Sequence, residues 1–359
     1  METLTSLHVV GSPALGGAEH FLLRLTAALT GAGHPATAVV QRGSAVAAAV
    51  DPGVERVELP LRRGIDLRSP GALRSLVRDR APAAIQTYMA RATRMTRLRG
   101  PRRTLHVARL GGRYRLRDFR HADVWVGNTH GLCRWMVDAG FPAERVFHIG
   151  NFVEPRRAGD PADRTRRRSE WGVPEPAFVL AALGRFDARK GFQDLIEAVG
   201  RLPASREGER PFLLLAGEGR EAPALEAAAA TLGDRVRIGG WVAGPDALLP
   251  AADLCVVPSR EETLGNVVLE AWAHGVPVVA TRTAGPSELI EDGVNGRLAP
   301  VADPAGLARV LESAWAAGPE ARRAWVEAGR DALERRHGRR AVLDAYLALY
   351  GDAERWIRR

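Results

Sequence analysis

The sequence predicts an α/β protein in which two doubly wound, Rossmann-like domains follow one another along the chain. The chain has 359 residues, which is too many for one typical core and suits two domains of middling size. Its first half alternates short apolar runs with helical stretches, and its second half repeats that alternation. Strands separated by helices are typical of βαβ units, which form parallel sheets whose ligands lie at the carboxyl ends of the strands.

The first predicted domain spans residues 1–160. The apolar run Leu7–Val10 leads through a glycine-rich turn into an amphipathic helix over Glu19–Thr30. Later apolar runs predict further strands at Ala36–Val40, Ala84–Tyr88, Thr104–Leu110, Val124–Gly127 and Val146–Ile149. Between Glu154 and Glu170 the chain becomes polar, with two prolines and a run of arginines. This composition predicts a linker between the domains.

The second predicted domain spans residues 161–339 and contains a helix at Gln193–Arg201. Its strands are predicted at Ala177–Leu183, Pro211–Ala216, Arg235–Ile238, Leu254–Val257 and Val276–Ala280. The last predicted helix, Arg340–Trp356, carries an apolar face formed by Leu343, Tyr346, Leu347 and Tyr350. Because this face needs a partner, we expect residues 340–359 to pack back on the first domain.

The composition is typical of a globular protein of a reducing cytoplasm. Hydrophobic residues make up 46% of the chain and charged residues 26%. The two cysteines, Cys133 and Cys255, form no zinc motif and no disulfide framework. No apolar run approaches the ~20 residues of a membrane span, and nothing resembles a signal peptide. The sequence therefore predicts a cytoplasmic protein that does not cross a membrane.

Positive charge is concentrated in one part of the chain. Residues 61–120 contain 17 arginines against three aspartates, while the formal charge of the whole protein is +9. Such a patch favours an anionic partner, such as a phosphorylated acceptor or a lipid headgroup surface, and we expect peripheral contact with the inner face of an anionic membrane. An arginine-rich coding bias is the alternative, since the chain has 50 arginines and one lysine. Nucleic acid is not an expected partner, because few aromatic residues and no recognisable motif accompany the arginines.

A candidate phosphate-binding loop follows the first strand of the second domain, where the sequence reads GRFDARKG from Gly184 to Gly191. Arg185 and Lys190 lie on this loop, just before a predicted helix. Two cations and a helix N-terminus form a good pyrophosphate site. Lys190 is the only lysine of the chain, so this position favours a compact ammonium group. The alternative is that the one remaining lysine has no special role.

Two glutamates, Glu262 and Glu270, lie on either side of a Leu-Gly-Asn turn. If a helix begins near Asn266, the amides of Leu264, Gly265 and Asn266 are donors at its positive end. Glu270 then lies one turn inside the helix, where its carboxylate can bind a ribose diol. Glu262 can meet sugar hydroxyls from the preceding loop. The pattern favours a nucleotide-sugar site over the alternative of an ordinary loop carboxylate and an ordinary helix residue.

The first domain offers a third candidate phosphate-binding segment. Gly16 and Gly17 precede its first helix, and glycines at such a turn let the backbone approach a phosphate closely. The dinucleotide fingerprint G-x-G-x-x-G and the P-loop pattern are both absent from the sequence. Their absence argues against dinucleotide and ATP binding.

Taken together, these segments resemble the family 4 retaining glycosyltransferases of the GT-B fold. The resemblance covers most of the chain and is strongest at Gly16–Glu19, Gly184–Phe186, Lys190–Gly191, Leu215–Gly219, Pro258–Glu270, Gly275–Val279 and Gly285–Glu288. It is closest to the subgroup that makes bacterial surface polysaccharide or lipopolysaccharide core. A GT-B protein has a cleft between its two domains, and its C-terminal helix packs on the first.

The resemblance implies transfer of a sugar, with retention of configuration, from a nucleotide-diphosphate sugar to a glycan or glycolipid acceptor. A UDP-sugar is the favoured donor. Arg185 and Lys190 would neutralise the leaving diphosphate, Glu262 would bind the donor sugar, and Glu270 would bind the ribose. The base would lie near two loops that contain Gly217, Trp241 and Val242. No metal cofactor is expected, because basic side chains and helix dipoles would stabilise the leaving group.

One feature of the family is harder to locate in this sequence. Many relatives carry a first-domain histidine that contacts the donor sugar, and His106 is the candidate here. A satisfied core histidine is the alternative, since His106 falls within a predicted strand and Arg109 lies nearer its end. Two other classes of function stay open: a different nucleotide-sugar enzyme of this fold, such as an epimerase or phosphorylase, and a nucleic-acid binder.

Overall fold

In a computed structural model, the chain divides into two compact units. The structure describes residues 3–98, 100, 102–154, 156 and 161–357. The first unit contains the described residues up to Phe152 together with those from Arg339 onward, and the second unit is Val153–Gly338. No helix in these described ranges is long and apolar enough to span a bilayer.

The first unit is built on a parallel sheet of seven strands. Its elements before the second unit are β1 (Ser6–Val10), α1 (Gly17–Gly31), β2 (Ala36–Gln41), α2 (Ala45–Ala48), β3 (Glu55–Leu59), α3 (Ser69–Arg80), β4 (Ala84–Tyr88), α4 (Met89–Met95), β5 (Leu105–Leu110), β6 (Val124–Gly127), α5 (His130–Asp138) and β7 (Val146–His148). The strand order is β3-β2-β1-β4-β5-β6-β7, and neighbouring strands are parallel. The order reverses between β1 and β4, which makes their carboxyl ends the topological switch point of this sheet.

The second unit contains a parallel sheet of six strands. Its elements are α6 (Pro161–Glu170), β8 (Ala177–Leu183), α7 (Phe192–Gly200), β9 (Arg210–Ala216), α8 (Ala222–Ala230), β10 (Val236–Gly239), β11 (Leu254–Val257), α9 (Asn266–His274), β12 (Val278–Thr281), α10 (Ala284–Leu289), β13 (Arg297–Ala299), α11 (Pro304–Ala316) and α12 (Gly318–His337). The strand order is β10-β9-β8-β11-β12-β13, with parallel neighbours. Here the order reverses between β8 and β11.

Two helices after the second unit, α13 (Arg339–Gly351) and α14 (Ala353–Trp356), belong to the first unit. Single 3-10 turns occur in both units, at Leu116–Asp118, Ala143–Arg145, Ala188–Lys190, Gly233–Arg235, Pro245–Ala247 and Leu249–Ala251. The strands at the centre of each sheet are buried, as the run AFVLAAL of β8 illustrates. Helices cover both faces of such parallel sheets, which is why these strands are continuous apolar runs in the sequence.

The prediction that the last helix packs on the first domain is confirmed. The apolar face of α13 lies in the same buried cluster as Val10 of β1 and Phe21 of α1. Tyr346 and Tyr350 are both buried on this face. The Tyr350 hydroxyl donates to Gln86 Oε1 at 2.9 Å, so a polar contact fixes the helix against β4. Hydrogen bonds of this kind between buried groups help to select one packing register.

The sequence analysis missed two strands. β3 has the sequence ERVEL, forms the edge of the first sheet and has its first two residues exposed. An edge strand lacks a fully buried face, so its apolar signal is weak. β13 has only three residues and forms one edge of the second sheet. Such a short run cannot be recognised from alternation of apolar residues.

The predicted linker was wrong for residues 161–170, which form helix α6 of the second unit. The arginines of this segment anchor the helix. Arg164 and Arg168 each donate to the carboxylate of Asp253 at 2.6 Å. Arg168 also donates to the carbonyl of Ala251 at 3.1 Å. Residues 155 and 157–160 of the predicted linker lie outside the described residues.

Candidate active site at the carboxyl edge of the second sheet

Four loops of the second unit meet at the carboxyl ends of neighbouring strands. They are residues 184–191 after β8, 217–219 after β9, 240–242 after β10 and 258–265 after β11. Because β8 and β11 flank the point where the strand order reverses, their two loops enclose the position where open α/β sheets bind ligands. These loops contain most of the residues that the sequence analysis proposed for donor binding.

Lys190 and Glu262 form an ion pair between the β8 loop and the β11 loop. The Lys190 Nζ lies 2.6 Å from Glu262 Oε2, and the two side chains are 30% and 17% exposed. Ser259 Oγ lies 3.5 Å from the same carboxylate oxygen. Partial burial strengthens the attraction between the charges relative to a fully exposed pair, yet it leaves both groups accessible to a ligand. The cation and the carboxylate predicted from separate motifs are therefore direct neighbours.

The β8 loop holds Lys190 through a 3-10 turn that Asp187 caps. The Asp187 carboxylate accepts a hydrogen bond from Arg189 N at 3.0 Å. The backbone carbonyl of Asp187 accepts one from Lys190 N at 2.9 Å. Arg189 Nη2 also pairs with the Asp187 carboxylate at 3.1 Å. Burial acts to raise the pKa of Asp187, but the hydrogen bonds and positive charge of Arg189 outweigh it and lower this pKa. The cap therefore stays ionised and the turn stays ordered.

The β11 loop is attached to the β8 loop and to α7. The Arg189 carbonyl accepts hydrogen bonds from Arg260 N at 2.7 Å and from Glu261 N at 3.2 Å. The Arg260 guanidinium binds both oxygens of Asp194, at 2.8 and 2.6 Å. A bidentate pair of this kind fixes geometry as well as contributing attraction. The sequence analysis missed Arg260 and Asp194, because nothing in their sequence spacing indicates that they meet.

Glycines allow these loops to pass unusually close to one another. Gly191 has φ +65°, and a Cβ atom there would lie 2.1 Å from the carbonyl oxygen of Pro258. Gly217 has φ +153°, and a Cβ atom there would lie 1.9 Å from the carbonyl oxygen of Gly184. Either position excludes a larger residue on steric grounds as well as conformational ones. The loop spacing that joins Lys190 to Glu262 therefore depends on glycine.

Helix α9 begins at Asn266, as predicted, so its positive end faces the β11 loop. Gly265 is the N-cap residue and supplies no side-chain cap, while Leu264 before it is buried. Amide groups at an uncapped helix start form a favourable environment for an anion. Glu270 lies in the second turn of α9 and is half-buried. Burial, and then the nearby charge of Glu270, raise the pKa of the Cys255 thiol on β11.

A histidine that the sequence analysis did not select supports the Glu270 turn. His274 Nδ1 lies 2.7 Å from the carbonyl oxygen of Glu270, and His274 Nε2 lies 2.8 Å from Asp246 Oδ1. Arg156 Nη2 donates to the other oxygen of Asp246 at 2.8 Å. These contacts fix the C-terminal turn of α9. Sequence spacing does not reveal them, because His274, Asp246 and Arg156 are not adjacent to Glu270 in the chain.

The loops after β9 and β10 form a further wall of the site. Gly217 N donates to the Gly240 carbonyl at 3.1 Å, and Trp241 N lies 3.4 Å from Glu218 Oε1. The Trp241 side chain is 66% exposed, so its ring has a free face for a ligand. Val242 beside it packs against the buried core of the unit. An exposed indole next to a carboxylate suits a planar heterocycle that carries N–H donors.

Arg185 occupies the β8 loop before Lys190. Its side chain is exposed, and it forms no hydrogen bond or ion pair with any residue in the described ranges. Its backbone carbonyl accepts a hydrogen bond from Asp187 N at 2.9 Å. The guanidinium is therefore available to a ligand on the same loop as Lys190.

Comparison with known proteins explains this arrangement. The family model described as glycosyl transferases group 1 matches residues 177–316, which include Lys190, Glu262 and Glu270. The lipopolysaccharide core biosynthesis glycosyltransferase LpsE of Rhizobium meliloti is 35% identical over 343 residues, covering 93% of this chain and 95% of LpsE. The chain belongs to the group 1 glycosyltransferases. LpsD of the same organism, also described as a lipopolysaccharide core biosynthesis glycosyltransferase, is 30% identical over 341 residues. That match covers 93% of this chain and 95% of LpsD.

Comparison with a solved structure confirms the GT-B fold. Anabaena HepE, in complex with UDP and glucose, matches this glycosyltransferase with a TM-score of 0.82 and 20% sequence identity. The match covers 97% of this chain and 100% of HepE. The two parallel-sheet units of the present enzyme are therefore the two Rossmann-like domains of a GT-B glycosyltransferase.

Three of the predicted site residues lie in the first unit. Gly16 is the N-cap residue of α1 and Gly17 its first residue, after the carboxyl end of β1 at the switch point of that sheet. His106 is the second residue of β5, 1% exposed, with Nε2 3.1 Å from Thr87 Oγ1. Burial, together with the nearby ring of His121 and then Arg102, holds the His106 pKa well below its ordinary range.

The glycines are therefore placed at a ligand-binding edge, whereas His106 is placed in the interior. A residue near the amino end of a buried strand does not reach the carboxyl edge of the sheet. The buried position of His106 gives no support to a contact with the donor sugar. It is a core histidine but not a fully satisfied one, because its Nδ1 has no hydrogen-bond partner among the described residues.

In the part of the chain that the structure describes, no three metal-ligating side chains come together in a cluster. The metal independence of this glycosyltransferase stays a prediction.

Proposed function

We propose that this glycosyltransferase transfers a sugar from a nucleotide-diphosphate sugar, with a UDP-sugar favoured, to a glycan or glycolipid acceptor. The observation that carries the proposal is the Lys190–Glu262 ion pair beside the N-terminus of α9. It places a cation, a carboxylate and a positive helix end at one ligand-binding edge. A donor with a diphosphate and a hydroxyl-rich sugar needs these three kinds of group.

In the proposed reaction, the bond between the anomeric carbon and the β-phosphate oxygen breaks, and the diphosphate leaves with the electron pair. An acceptor hydroxyl forms the new bond to that carbon and passes its proton to the departing diphosphate oxygen, with retention of configuration. Lys190 and Arg185 offset the charge that develops on the diphosphate, and the α9 N-terminus adds its dipole. These groups are suited to a leaving diphosphate without a metal cofactor.

The two glutamates hold the ends of the donor. Glu262 accepts hydrogen bonds from sugar hydroxyls once the diphosphate has drawn Lys190 toward itself. Glu270 accepts from the ribose diol, and His274 keeps its helical turn in place. The base stacks near Trp241, where the exposed ring and the Glu218 carboxylate face the loop opening.

The names of related proteins guide the choice of donor and acceptor. HepE was solved with UDP and glucose bound, which supports a UDP-sugar as donor. LpsE and LpsD are both described as lipopolysaccharide core glycosyltransferases, which supports an acceptor of the lipopolysaccharide core. With such an acceptor, the enzyme acts at the cytoplasmic face of a membrane, and its arginine-rich residues 61–120 make the peripheral contact.

The proposal is tested by calorimetric titration of the purified protein with UDP-, GDP- and ADP-sugars, followed by transfer assays on truncated lipopolysaccharide core. We expect one UDP-sugar to bind, EDTA to leave the turnover unchanged, and NMR to show the donor's anomeric configuration in the product. Failure of every nucleotide sugar to bind would overturn the proposal. An epimerised donor, or a sugar phosphate formed without acceptor, would instead favour the epimerase or phosphorylase alternative.

A further inference from the structure

One loop of the first unit holds two aliphatic side chains almost fully in solvent. Ile65 and Leu67, on the loop between β3 and α3, are 87% and 86% exposed. The other exposed large apolar side chains in the described ranges reach 66% at most, at Trp241. Single exposed aliphatic residues are common on protein surfaces, so the surroundings of these two must indicate whether they have a partner.

The loop is ordered by the side chain between them. The Asp66 carboxylate accepts hydrogen bonds from the backbone N–H groups of Arg62 at 3.0 Å, Arg68 at 3.2 Å and Ser69 at 2.9 Å. Ser69 Oγ donates to it at 2.6 Å and accepts from Leu61 N at 2.9 Å. Hydrogen bonds therefore hold this loop in one conformation, and the side chains of Ile65 and Leu67 point outward from it.

The ionisation of Asp66 supports this order. Burial acts to raise the pKa of the Asp66 carboxyl, but the hydrogen bonds from Ser69, Arg62 and Arg68 outweigh it and lower the pKa. The carboxylate is therefore charged under physiological conditions and keeps the loop closed around it. A preordered loop loses little conformational entropy when it binds.

Net positive charge surrounds the two aliphatic side chains, because three arginines accompany the single carboxylate of Asp66. Arg62, Arg63 and Arg68 are exposed, and none of them forms an ion pair with a residue that the structure describes. Burial, then the charges of Arg63 and Arg94, lower the pKa of the Arg91 guanidinium. Like charges repel one another, so the arginines on and beside this loop favour an anionic partner.

The loop is attached to the carboxyl edge of the first sheet. It follows β3 at that edge, and Arg91 Nη1 donates both to the Leu61 carbonyl at 3.3 Å and to the carbonyl of Gly11. Gly11 begins the turn that leads from β1 to Gly16. The apolar pair, the arginines and the glycine turn therefore belong to one edge of the unit.

We propose that residues 61–68 insert Ile65 and Leu67 into the interface of an anionic bilayer, while Arg62, Arg63 and Arg68 meet the headgroup phosphates. Aliphatic side chains flanked by basic ones are the pattern of a segment that lies in a membrane interface. The choice of a lipid partner rests on the proposed function, because a glycolipid acceptor would then be held in the same bilayer beside this edge.

The test is co-sedimentation of the full chain with vesicles of phosphatidylcholine and phosphatidylglycerol, compared with phosphatidylcholine alone, across a salt series. The double variant I65S/L67S should bind the anionic vesicles at least about tenfold more weakly than wild type. The matched control is V294S/V301S, which removes two exposed aliphatic side chains of the second unit. It should bind as wild type does.

A second pair of variants tests the charge. R62Q/R63Q/R68Q should bind more weakly and lose much of its salt dependence, whereas R323Q/R335Q/R336Q on α12 should retain both. Ser69→Ala leaves the two aliphatic residues and every charge present but removes two of the hydrogen bonds that order the loop. It should also weaken binding several-fold, an effect that hydrophobicity alone would not produce.

The outcomes separate this inference from the proposed function, since each variant is also titrated with the soluble donor. The membrane proposal fails, and the donor proposal stands, if the wild type binds donor but no vesicles. The same holds if I65S/L67S binds vesicles as well as the wild type does. Vesicle binding that I65S/L67S abolishes, in a protein that binds no nucleotide sugar, supports the loop and rejects the donor proposal. If I65S/L67S instead converts a dimer to a monomer in analytical ultracentrifugation, the loop is a contact between copies and the inference fails.

Discussion

Lys190 Nζ lies 2.6 Å from Glu262 Oε2, so the main cation and the main carboxylate of the candidate site neutralise one another before a donor binds. A diphosphate offers Lys190 a second anion, and sugar hydroxyls offer Glu262 replacement donors. Binding then exchanges one set of charge-assisted hydrogen bonds for another and leaves neither buried charge unpaired. The pair can therefore hold the empty site in order without blocking it.

Removing the ammonium group should weaken donor binding. Lys190→Ala should lower the affinity for the donor at least tenfold, because one charge-assisted hydrogen bond is worth ~1.5–3 kcal/mol. Isothermal titration with the preferred nucleotide sugar measures the change. Arg201→Ala is the control, since Arg201 pairs with Glu197 at the far end of α7 and is 52% exposed. Wild-type affinity in the purified Lys190→Ala protein would reject the assignment.

The chemistry of the cation should also matter. Lys190→Arg should not support wild-type turnover, because a planar guanidinium cannot take the place of the compact, partly buried ammonium that lies 2.6 Å from Glu262. The same substitution tests whether the single lysine is a remnant of arginine-rich coding. Full activity of Lys190→Arg in a transfer assay would favour that simpler explanation.

The ribose assignment predicts a specific loss at Glu270. Glu270→Ala should lower donor affinity at least tenfold, because the ribose diol loses a charged acceptor. Comparison of UDP with 2′-deoxy-UDP identifies the contact: the wild type should prefer UDP, and the variant should bind both with similar affinity. Glu261→Ala, an exposed glutamate of the preceding loop, serves as control. An unchanged preference for UDP in Glu270→Ala would place the ribose elsewhere.

A glycine on the β8 loop should be essential for steric reasons. Gly191→Ala places a Cβ atom 2.1 Å from the Pro258 carbonyl oxygen, so the β8 and β11 loops must separate. Because this separation moves Lys190 from Glu262, both thermal stability and turnover should fall. Gly233→Ala has a similar φ of +60° but meets nothing within 4 Å, so it controls for backbone strain alone. Equal effects of the two substitutions would show that loop contact is not the cause.

Most of the fold was predictable because its strands are buried on both faces. β8 and β11 are continuous apolar runs, and the turns that follow them contain the glycines and charges of the site. These signals lie within short stretches of consecutive residues, which a sequence shows directly. β3 was missed because an edge strand has no such run, and α6 was mistaken for a linker because its arginines form buried contacts.

Contacts between distant residues were not predictable. Arg260 meets Asp194 on α7, and His274 on α9 meets Asp246, only because the strand order brings these segments together. Sequence spacing does not fix that order. His106 illustrates a second gap: alternation identified its strand but not how far along the strand a ligand could reach. The structure places it in the first half of β5, among threonines and a second histidine.

A buried histidine of the first unit should make stability depend on pH. His8 is fully buried, and desolvation lowers its pKa to about 3. Its hydrogen bonds agree with a neutral ring: Nδ1 lies 3.0 Å from the Tyr88 hydroxyl and Nε2 lies 3.0 Å from Ser6 Oγ. Gln86 Nε2 donates to the Tyr88 oxygen at 2.7 Å, which leaves the Tyr88 proton for His8 Nδ1. This assigns the proton of the ring to Nε2.

The sign of the effect follows from the lowered pKa. Unfolded His8 has a pKa of about 6.5 and binds a proton below that pH, whereas folded His8 stays neutral until about pH 3. The stabilisation is therefore complete above pH 6.5 and is lost as the pH falls toward 3. Each pH unit in this window costs up to about 1.4 kcal/mol of the free energy of unfolding. Between pH 7 and pH 5 the loss from His8 should be about 2 kcal/mol.

Urea unfolding at pH 7, 6 and 5 measures this slope. His8→Gln should lower stability at every pH, because it disturbs the packing, and it should reduce the dependence between pH 7 and pH 5 without abolishing it, because the lowered pKa values of His106 and His121 act in the same window. The window lies above the ordinary pKa values of carboxyl groups, so groups such as Asp66 and Asp187, whose pKa is lowered, add little to it. If His8→Gln and wild type lose stability in parallel, the pH dependence arises from other groups and the neutral state of folded His8 loses its support.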